Sequence, residues 1–192
     1  MRPVLFCAIS MAAIAIAAPP PVTIVIDFDG PHSNPSIEAM KREFAVIMHS
    51  SGIAFDWRMK SEAAAGSFAN LVVVRFKGAC VLAPVGYLYD ERGPLAYTLT
   101  TNGEVQPYSE VACDKVAASV RSAMWGGDFS HADQLFGRAL ARVVAHEMVH
   151  ILTKSGDHGK TGIAKPGLTG RQLISPELKL SPADLDRLYF EP

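Results

Sequence analysis

Three residues inside one predicted helix have the types and the spacing of a metal site. His146, Glu147 and His150 form the pattern H-E-x-x-H. Because residues four apart lie one helical turn above each other, the two imidazoles project from the same face of the helix. This geometry suits two nitrogen ligands of one tetrahedral Zn²⁺, and it places Glu147 beside the metal to take a proton from water.

The side chains around this motif are apolar nearly all round the helix. They are Val143, Val144, Met148, Val149, Ile151 and Leu152. A helix of this kind is expected to be buried. A buried histidine or glutamate needs a partner, and a metal ion supplies one. The alternative is that the motif is accidental and that its residues have ordinary core or surface roles.

A third metal ligand has to come from another element, because two ligands on one helix do not define a tetrahedral site. Ser155-Gly156 offers a residue able to adopt the left-handed conformation that ends helices, so we expect the helix to stop near Lys154. Two or three further residues, each spanning at most ~3.5 Å, then bring Asp157 or His158 back beside the metal. Glu177 is a third candidate, although no helix is predicted around it.

The other polar residues with chemical capacity have plainer interpretations. Three tyrosines are candidate donors to an oxyanion, but packing in the core or exposure at a rim is the default for each. They are Tyr97, Tyr108 and Tyr189. The remaining histidines have no partner at a metal-site spacing, and we expect surface or capping roles for them. They are His32, His49 and His131.

The composition favours one domain that does not bind polyanions. The chain has 192 residues and a formal net charge of −1, and no basic run is present. Nucleic acid and anionic membranes are therefore not expected as partners. The apolar run 4–16 follows a short positive start and precedes small-x-small sites, which is typical of a secretory signal peptide over residues 1–18. We expect residues 19–192 to form the secreted or periplasmic domain, with an uncleaved anchor as the alternative.

Two cysteines remain after the predicted signal peptide, Cys80 and Cys113. In an oxidising compartment an even pair favours a disulfide, which would contribute ~3–4 kcal/mol by closing the intervening loop. The alternative is two separate thiols that are buried as small apolar side chains.

Hydrophobic periodicity and turn residues predict the order of the elements. Strands are expected at 22–28, 54–59, 70–77 and 95–100, with a weak one at 81–89 and an irregular strand or loop at 105–111. Helices are expected at 37–48, 114–125, 133–154 and 182–189. Arg138 and Arg142 lie one turn apart and predict a solvent-facing stripe on the third helix. This order indicates an α+β domain with a mixed or mostly antiparallel sheet and helices packed on one side.

The chain resembles the zincin metallopeptidases, and more narrowly their metzincin-like branch. It is similar to a group of small secreted bacterial zincin-like proteins with the pattern H-E-x-G-H-L-L-L-G, a short polar stretch, H, then G-I-M. The matching residues are His146, Glu147, His150, Ile151, Leu152, His158, Gly162 and Ile163. This likeness covers residues 134–164, and it implies that His158, rather than Asp157, is the third ligand.

The sequence departs from the family pattern at three positions. Val149 replaces the glycine inside the motif, and Lys154 replaces the glycine that closes the helix. Ala164 stands where the family has the methionine beneath the metal. The ligands and the base are retained, so the departures bear on the geometry of the loop and on catalytic efficiency.

The resemblance also implies a mechanism. Three neutral imidazoles hold Zn²⁺, which activates a water molecule, and Glu147 accepts a proton from it and passes the proton to the leaving amine. In zincins an extended substrate commonly pairs with an exposed sheet edge, for which residues 95–100 are the candidate. A secreted, monomeric zinc-dependent endopeptidase that acts on extracellular or periplasmic peptides or proteins is the main hypothesis. The alternative is a secreted zinc-binding protein with a degenerate, non-catalytic domain.

Overall fold

The structure is a computed structural model that describes residues 19–83 and 93–189. The predicted signal peptide, residues 1–18, lies outside the described residues. Residues 84–89 of the weak strand predicted at 81–89 also lie outside them. Within the described residues, no helix is both long enough and apolar enough to cross a membrane.

Five strands of the described chain form a single mixed sheet. They are β1 (Val22–Phe28), β2 (Phe55–Met59), β3 (Asn70–Lys77), β4 (Ala96–Thr101) and β5 (Glu104–Ala112). Their spatial order is β2-β1-β3-β5-β4. β1 pairs in parallel with both β2 and β3, and β3 pairs in parallel with β5. Among the five described strands only β4 runs antiparallel to its neighbour, and it forms one edge of their sheet.

Six α-helices within the described residues complete the architecture. They are α1 (Asn34–Met48), α2 (Lys60–Ala63), α3 (Cys113–Ala123), α4 (Ala132–Leu152), α5 (Gly170–Ile174) and α6 (Pro182–Tyr189). Short 3₁₀ segments precede β2 and α4, at His49–Ser51 and Gly126–His131. The α+β class with a mixed sheet is confirmed. The short helices α2 and α5 were not expected from the sequence.

The hydrophobic core lies between one face of the sheet and the helices α1, α3 and α4. Alternate residues of the central strands enter this core, such as Ile24 and Val74, which are almost fully buried. Phe136 and Leu140 of α4 meet them from the helix side and are also fully buried. The period of two in the strands and the near-continuous apolar pattern in α4 explain this arrangement. Helix α4 is therefore enclosed on most sides, as the apolar residues around its motif predict.

A turn at Asn102-Gly103 and an irregular pairing at Pro107 shape the antiparallel edge of the sheet. Asn102 and Gly103 join β4 to β5, and both have positive φ angles, of 54° and 84°, as a tight hairpin turn requires. Between the pairs Thr98–Ser109 and Thr100–Val105, the register shifts. Pro107 lies in this interval and cannot donate a backbone hydrogen bond, which accounts for the irregular pairing. The region 105–111 is thus an irregular strand, and not a loop.

Cys80 and Cys113 form a disulfide with a Cα–Cα distance of 4.9 Å. Both cysteines are fully buried. The bond connects the segment after β3 to the first residue of α3. The disulfide expected from the even number of cysteines is therefore present, and the alternative of two thiols is wrong.

The prediction of a solvent-facing stripe on α4 is wrong for Arg142. This side chain is fully buried, whereas the side chain of Arg138 is 20% exposed. Arg142 donates hydrogen bonds to Glu43 of α1, at 3.1 Å, and to the carbonyl oxygen of Gln172, at 2.5 Å. Periodicity places both arginines on one side of α4, but α1 and α5 cover the Arg142 position. Arg142 therefore links three helices instead of facing water.

Candidate metal centre

Helix α4 delivers two histidines and a glutamate to the same cleft. The helix runs from Ala132 to Leu152, and nearly all of its second half is buried. Glu147 is 5% exposed and His150 is 7% exposed, while His146 is partly buried. All three side chains line one cleft of about 650 Å³. The placement expected from their spacing on a buried helix is thus confirmed.

The helix ends in a Schellman turn, in which one left-handed residue closes the last turn. Lys154 is that residue, with a φ of +46°. The backbone N–H of Ser155 donates to the carbonyl of His150, at 3.1 Å, and the N–H of Lys154 donates to the carbonyl of Ile151, at 3.3 Å. These are the two hydrogen bonds that define the motif. The helix ends near Lys154 as expected, but the left-handed residue is Lys154 itself, not Ser155 or Gly156.

The turn brings His158 back to the two helix histidines. Its ring centroid lies 5.2 Å from that of His146 and 4.7 Å from that of His150. One nitrogen atom from each ring lies within 4.8 Å of the other two, so the three histidines are close enough to bind a metal ion. Asp157 and Glu177 are exposed and do not belong to this group. Of the three candidates for a third ligand, only His158 reaches the helix pair.

Two backbone carbonyls orient the helix histidines. Nδ1 of His146 lies 2.9 Å from the carbonyl oxygen of Ile163, and Nδ1 of His150 lies 2.8 Å from that of Ser155. A carbonyl oxygen can only accept a hydrogen bond, so each Nδ1 carries a hydrogen and donates it. In a neutral imidazole the other nitrogen then has a free lone pair, and in both rings that nitrogen is Nε2.

The two Nε2 atoms lie 3.1 Å apart. Because both are lone-pair atoms in the tautomer that the carbonyls impose, this contact is not a hydrogen bond, and it is repulsive without a positive charge nearby. Burial lowers the pKa of both His146 and His150, so a second proton on either ring is not favoured as the source of this positive charge. Two zinc-bound nitrogens at tetrahedral geometry would be about 3.3 Å apart. The observed separation therefore fits two ligands of a single cation.

The loop that carries His158 is held in place by its own hydrogen bonds and by α6. The N–H of Gly159 donates to the carbonyl of Ala164, at 2.7 Å, which closes the loop. Arg187 of α6 donates to the carbonyl of Asp157, at 3.2 Å, and to the buried carboxylate of Asp184, at 2.9 Å. The backbone carbonyl of Asp157 thus helps to hold the adjacent His158 in position. Ala164, which replaces the methionine of the resembling family, is fully buried.

Glu147 receives a hydrogen bond from the edge strand of the sheet. The hydroxyl of Thr98 in β4 donates to Oε2 of Glu147, at 2.7 Å. Burial raises the pKa of Glu147, while the bond from Thr98 and the nearby histidines lower it. Glu147 is not a member of the histidine group that could hold a metal, although it lines the same cleft. Its carboxylate therefore lies in the same cleft as the three histidines but outside their group.

The cleft has an apolar wall next to these groups. Leu95, which precedes β4, Val143 from α4 and Leu168 from the loop before α5 contribute to it. Lys115 and Ser119 of α3 also line the cleft. The resulting surface can accommodate a side chain of mainly apolar character beside the reacting groups.

The remaining candidates lie away from the cluster. The hydroxyls of Tyr97 and Tyr108 both bond to Glu110 on the opposite face of the sheet, so neither points toward the histidines. The side chain of Tyr189 lies outside the described residues. The three other histidines are exposed, as expected. They are His32, His49 and His131.

Sequence reasoning missed Thr98 and Arg187 as residues that support the site. Thr98 is 49 residues from Glu147 along the chain, and Arg187 is 30 residues from Asp157. No local pattern relates either pair. The Asn102-Gly103 pair could have predicted the hairpin that makes β4 an antiparallel strand. The contact between Thr98 and Glu147 would still have required the packing of β4 on α4.

Comparison of the sequence with protein-family models gave no match, and comparison with curated proteins gave none either. The geometry of the three histidines and Glu147 therefore carries the functional proposal.

Proposed function

We propose that the protein is a zinc-dependent peptidase that hydrolyses peptide bonds in peptides or proteins. The observation that carries this proposal is the arrangement around one cleft. Three histidine nitrogens converge within 4.8 Å, and the carboxylate of Glu147 lines the same cleft without joining their group. This arrangement is the one that the resemblance to the zincin metallopeptidases implies.

The donor set fits zinc better than the harder divalent cations. Magnesium and calcium prefer oxygen ligands, whereas three imidazole nitrogens suit zinc and other late transition metals. His146, His150 and His158 would hold the ion. When bound, zinc acts as a Lewis acid that polarises a carbonyl group and lowers the pKa of a water molecule.

Glu147 would act as the general base and then as the general acid. It accepts a proton from the water molecule whose oxygen adds to the peptide carbonyl carbon. As the C–N bond breaks, it returns that proton to the leaving amine, so that one water molecule is consumed for each bond cleaved. The raised pKa of Glu147 that results from burial brings its affinity for a proton closer to that required for both steps.

Strand β4 would hold the substrate. Among the described residues it is an edge strand with one side unpaired, and Ala96 and Tyr97 line the cleft together with Leu95, which precedes the strand. An extended peptide can add to such an edge through backbone hydrogen bonds. The apolar wall of the cleft favours substrates with an apolar side chain next to the cleaved bond.

A zinc-binding protein without useful turnover is the competing proposal. The alanine at position 164 favours it, because the resembling family has methionine there. Structural zinc sites are usually closed by a fourth protein ligand. Within the described residues, the group that could hold a metal contains three histidines and no fourth residue. This open position and the buried Glu147 support catalysis.

Secretion or a periplasmic location is part of the proposal. The apolar amino terminus has the pattern of a signal peptide, and the Cys80–Cys113 disulfide is of a kind that persists in oxidising compartments. We propose a monomer that acts on extracellular or periplasmic peptides.

The test uses protein from Pro19 to Pro192 made in an oxidising compartment, with its metal content measured. A broad peptide library is digested and the products are read by mass spectrometry. We expect the wild type to cleave peptides, and Glu147→Gln to abolish cleavage while zinc stays bound. Glu177→Gln is the matched control, because Glu177 is exposed and outside the cluster.

Two outcomes would contradict the proposal. Cleavage by Glu147→Gln at the wild-type rate would remove the base from the mechanism. A zinc-loaded wild type that cleaves no peptide of the library would support the non-catalytic alternative instead.

A further inference from the structure

The carboxylate of Glu147 is held at one of its two oxygens. Thr98 donates its hydroxyl to Oε2 at 2.7 Å, and within the described residues no other hydrogen bond to this carboxylate is formed. A carboxylate has about four lone-pair positions on two oxygens. The bond to Oε2 therefore restrains rotation of the carboxylate, while Oε1 accepts no hydrogen bond from the described residues.

Thr98 lies directly before the irregular pairing of β4 and β5. Thr98 pairs directly with Ser109, and the register shifts immediately after this pair, opposite the segment that contains Pro107. Irregularities of this kind bend a strand and redirect its side chains. Thr98 is half-buried against α4, whereas Thr100, beyond the irregularity, is exposed. The first half of β4 thus packs against α4, and the second half does not.

The Thr98 hydroxyl bonds to Glu147 and not to its cross-strand neighbour Ser109. Its neighbour Ser109 is fully buried, and the hydroxyl of Ser109 has no hydrogen-bond partner within the described chain. The Thr98 hydroxyl, in contrast, is close to two oxygens of Glu147: the carboxylate oxygen and, at 3.4 Å, the backbone carbonyl. This bond is therefore a specific link between the edge strand and the proposed base.

We propose that Thr98 is a positioning residue for Glu147, and that it couples the edge strand which would hold the substrate to the orientation of the general base. The inference rests on the proposed peptidase function. A peptide that pairs with β4 restrains the backbone of that strand, and the Thr98 hydroxyl transmits this restraint to the carboxylate. Loss of the hydroxyl would leave the base free to rotate, which reduces the fraction of bound substrate that reacts.

The kinetic test compares Thr98→Val, Thr98→Ala and Thr98→Ser with the wild type. Valine keeps the branched shape without the hydroxyl, and serine keeps the hydroxyl without the methyl group. We expect kcat to fall roughly ten- to a hundred-fold in the valine and alanine variants, with KM within about twofold of the wild type. Thr98→Ser should recover most of the lost kcat. Zinc content should equal that of the wild type throughout.

Thr100→Val is the matched control, since it makes the same chemical change on the same strand at an exposed side chain. A role for Thr98 in folding alone would lower the melting temperature and the amount of active protein without changing kcat per zinc-loaded molecule. An unchanged kcat per zinc in both Thr98→Val and Thr98→Ala would overturn the inference. If valine prevents folding, the alanine and serine variants decide the question.

A second readout does not depend on activity. Crystal structures of the zinc-loaded wild type and Thr98→Ala variant are compared at the Glu147 side chain. We expect one carboxylate orientation in the wild type and a rotated or multiple orientation in the variant. An identical single orientation in both would contradict the positioning role. If the wild type proves inactive, the peptidase proposal fails, and this comparison still decides whether Thr98 orients Glu147.

Discussion

His150 and Ser155 are joined by two reciprocal hydrogen bonds. The N–H of Ser155 donates to the carbonyl of His150, at 3.1 Å, and the imidazole Nδ1 of His150 donates to the carbonyl of Ser155, at 2.8 Å. The first bond ends the helix and the second fixes the ring of a candidate metal ligand. The turn that closes α4 and the orientation of its last histidine are therefore one structural feature, with Lys154 between the two residues.

Replacement of Lys154 by glycine should stabilise the protein relative to replacement by alanine. Lys154 has a φ of +46°, and a side chain in this left-handed region costs about 1–2 kcal/mol that glycine avoids. Both variants lose the lysine side chain, so Lys154→Ala is the matched control. We expect the free energy of unfolding to be about 1 kcal/mol higher for Lys154→Gly than for Lys154→Ala, measured by urea denaturation. Equal values would mean that the left-handed turn is not retained.

The strands were predictable, but their partners were not. Runs of β-branched residues placed β1 and β3 at the bounds that the structure has, because such residues pack well on a sheet. All residues from Val22 to Ile26 are buried, and β1 lies in the sheet between two parallel neighbours. A nearly continuous apolar run is typical of such a strand. The order of the strands depends on crossovers between distant segments, which local periodicity does not contain.

The site was predictable where its residues are close in sequence. The helical repeat predicted His146 and His150. The geometry of the helix end placed Asp157 or His158 within reach, and the family resemblance implied His158. Thr98 has no such signal, because its contact with Glu147 forms only when β4 packs on α4. The exposure of Arg142 was predicted wrongly for the same reason. Its partner Glu43 is 99 residues away, on a helix whose packing against α4 cannot be inferred from the local pattern.

His158→Ala should lose most of the bound zinc, because two histidines from one helix do not complete the site. Asp157→Ala and Glu177→Ala should keep it, since neither side chain belongs to the cluster. Zinc is measured by elemental analysis after gel filtration, and circular dichroism shows whether each variant is folded. Full zinc occupancy in folded His158→Ala would show that the third ligand is another residue.

Arg142→Met should destabilise the protein much more than Arg138→Met. Arg142 is fully buried and donates hydrogen bonds to Glu43, Gln172 and Ser175, all of which would lose a charged donor. We expect a loss of about 3 kcal/mol, which is in the range for breaking a buried ion pair. Arg138 is partly exposed, and its variant should lose about 1 kcal/mol or less. Urea denaturation measures both, and similar small losses would show that Arg142 is accessible to water.

In the metal-free protein, the charged carboxylate of Glu147 should lower the free energy of unfolding at neutral pH. Burial raises the pKa of this carboxyl above its ordinary value of 4.5, so the folded protein binds the proton more tightly than the unfolded chain does. The carboxyl therefore contributes stability below pH 4.5 that is lost as the pH rises through the folded-state pKa. Above that point the folded protein keeps a buried charge that the unfolded chain exposes to water.

Glu147→Gln removes this charge and keeps the shape of the side chain. We expect the metal-free variant to be more stable than the metal-free wild type at pH 7–8, with the difference shrinking as the pH approaches 4. Glu147 itself raises the pKa of His150, so the comparison is made at pH 7–8, where burial keeps the pKa of His146 and His150 lowered and both rings neutral in both proteins. Glu177→Gln, at an exposed position, should show no such trend. Chemical denaturation at several pH values measures the effect, and a variant that is less stable than the wild type at pH 8 would refute it. A gain in stability on removal of the proposed base is the pattern expected when a buried charge is kept for catalysis at the expense of stability.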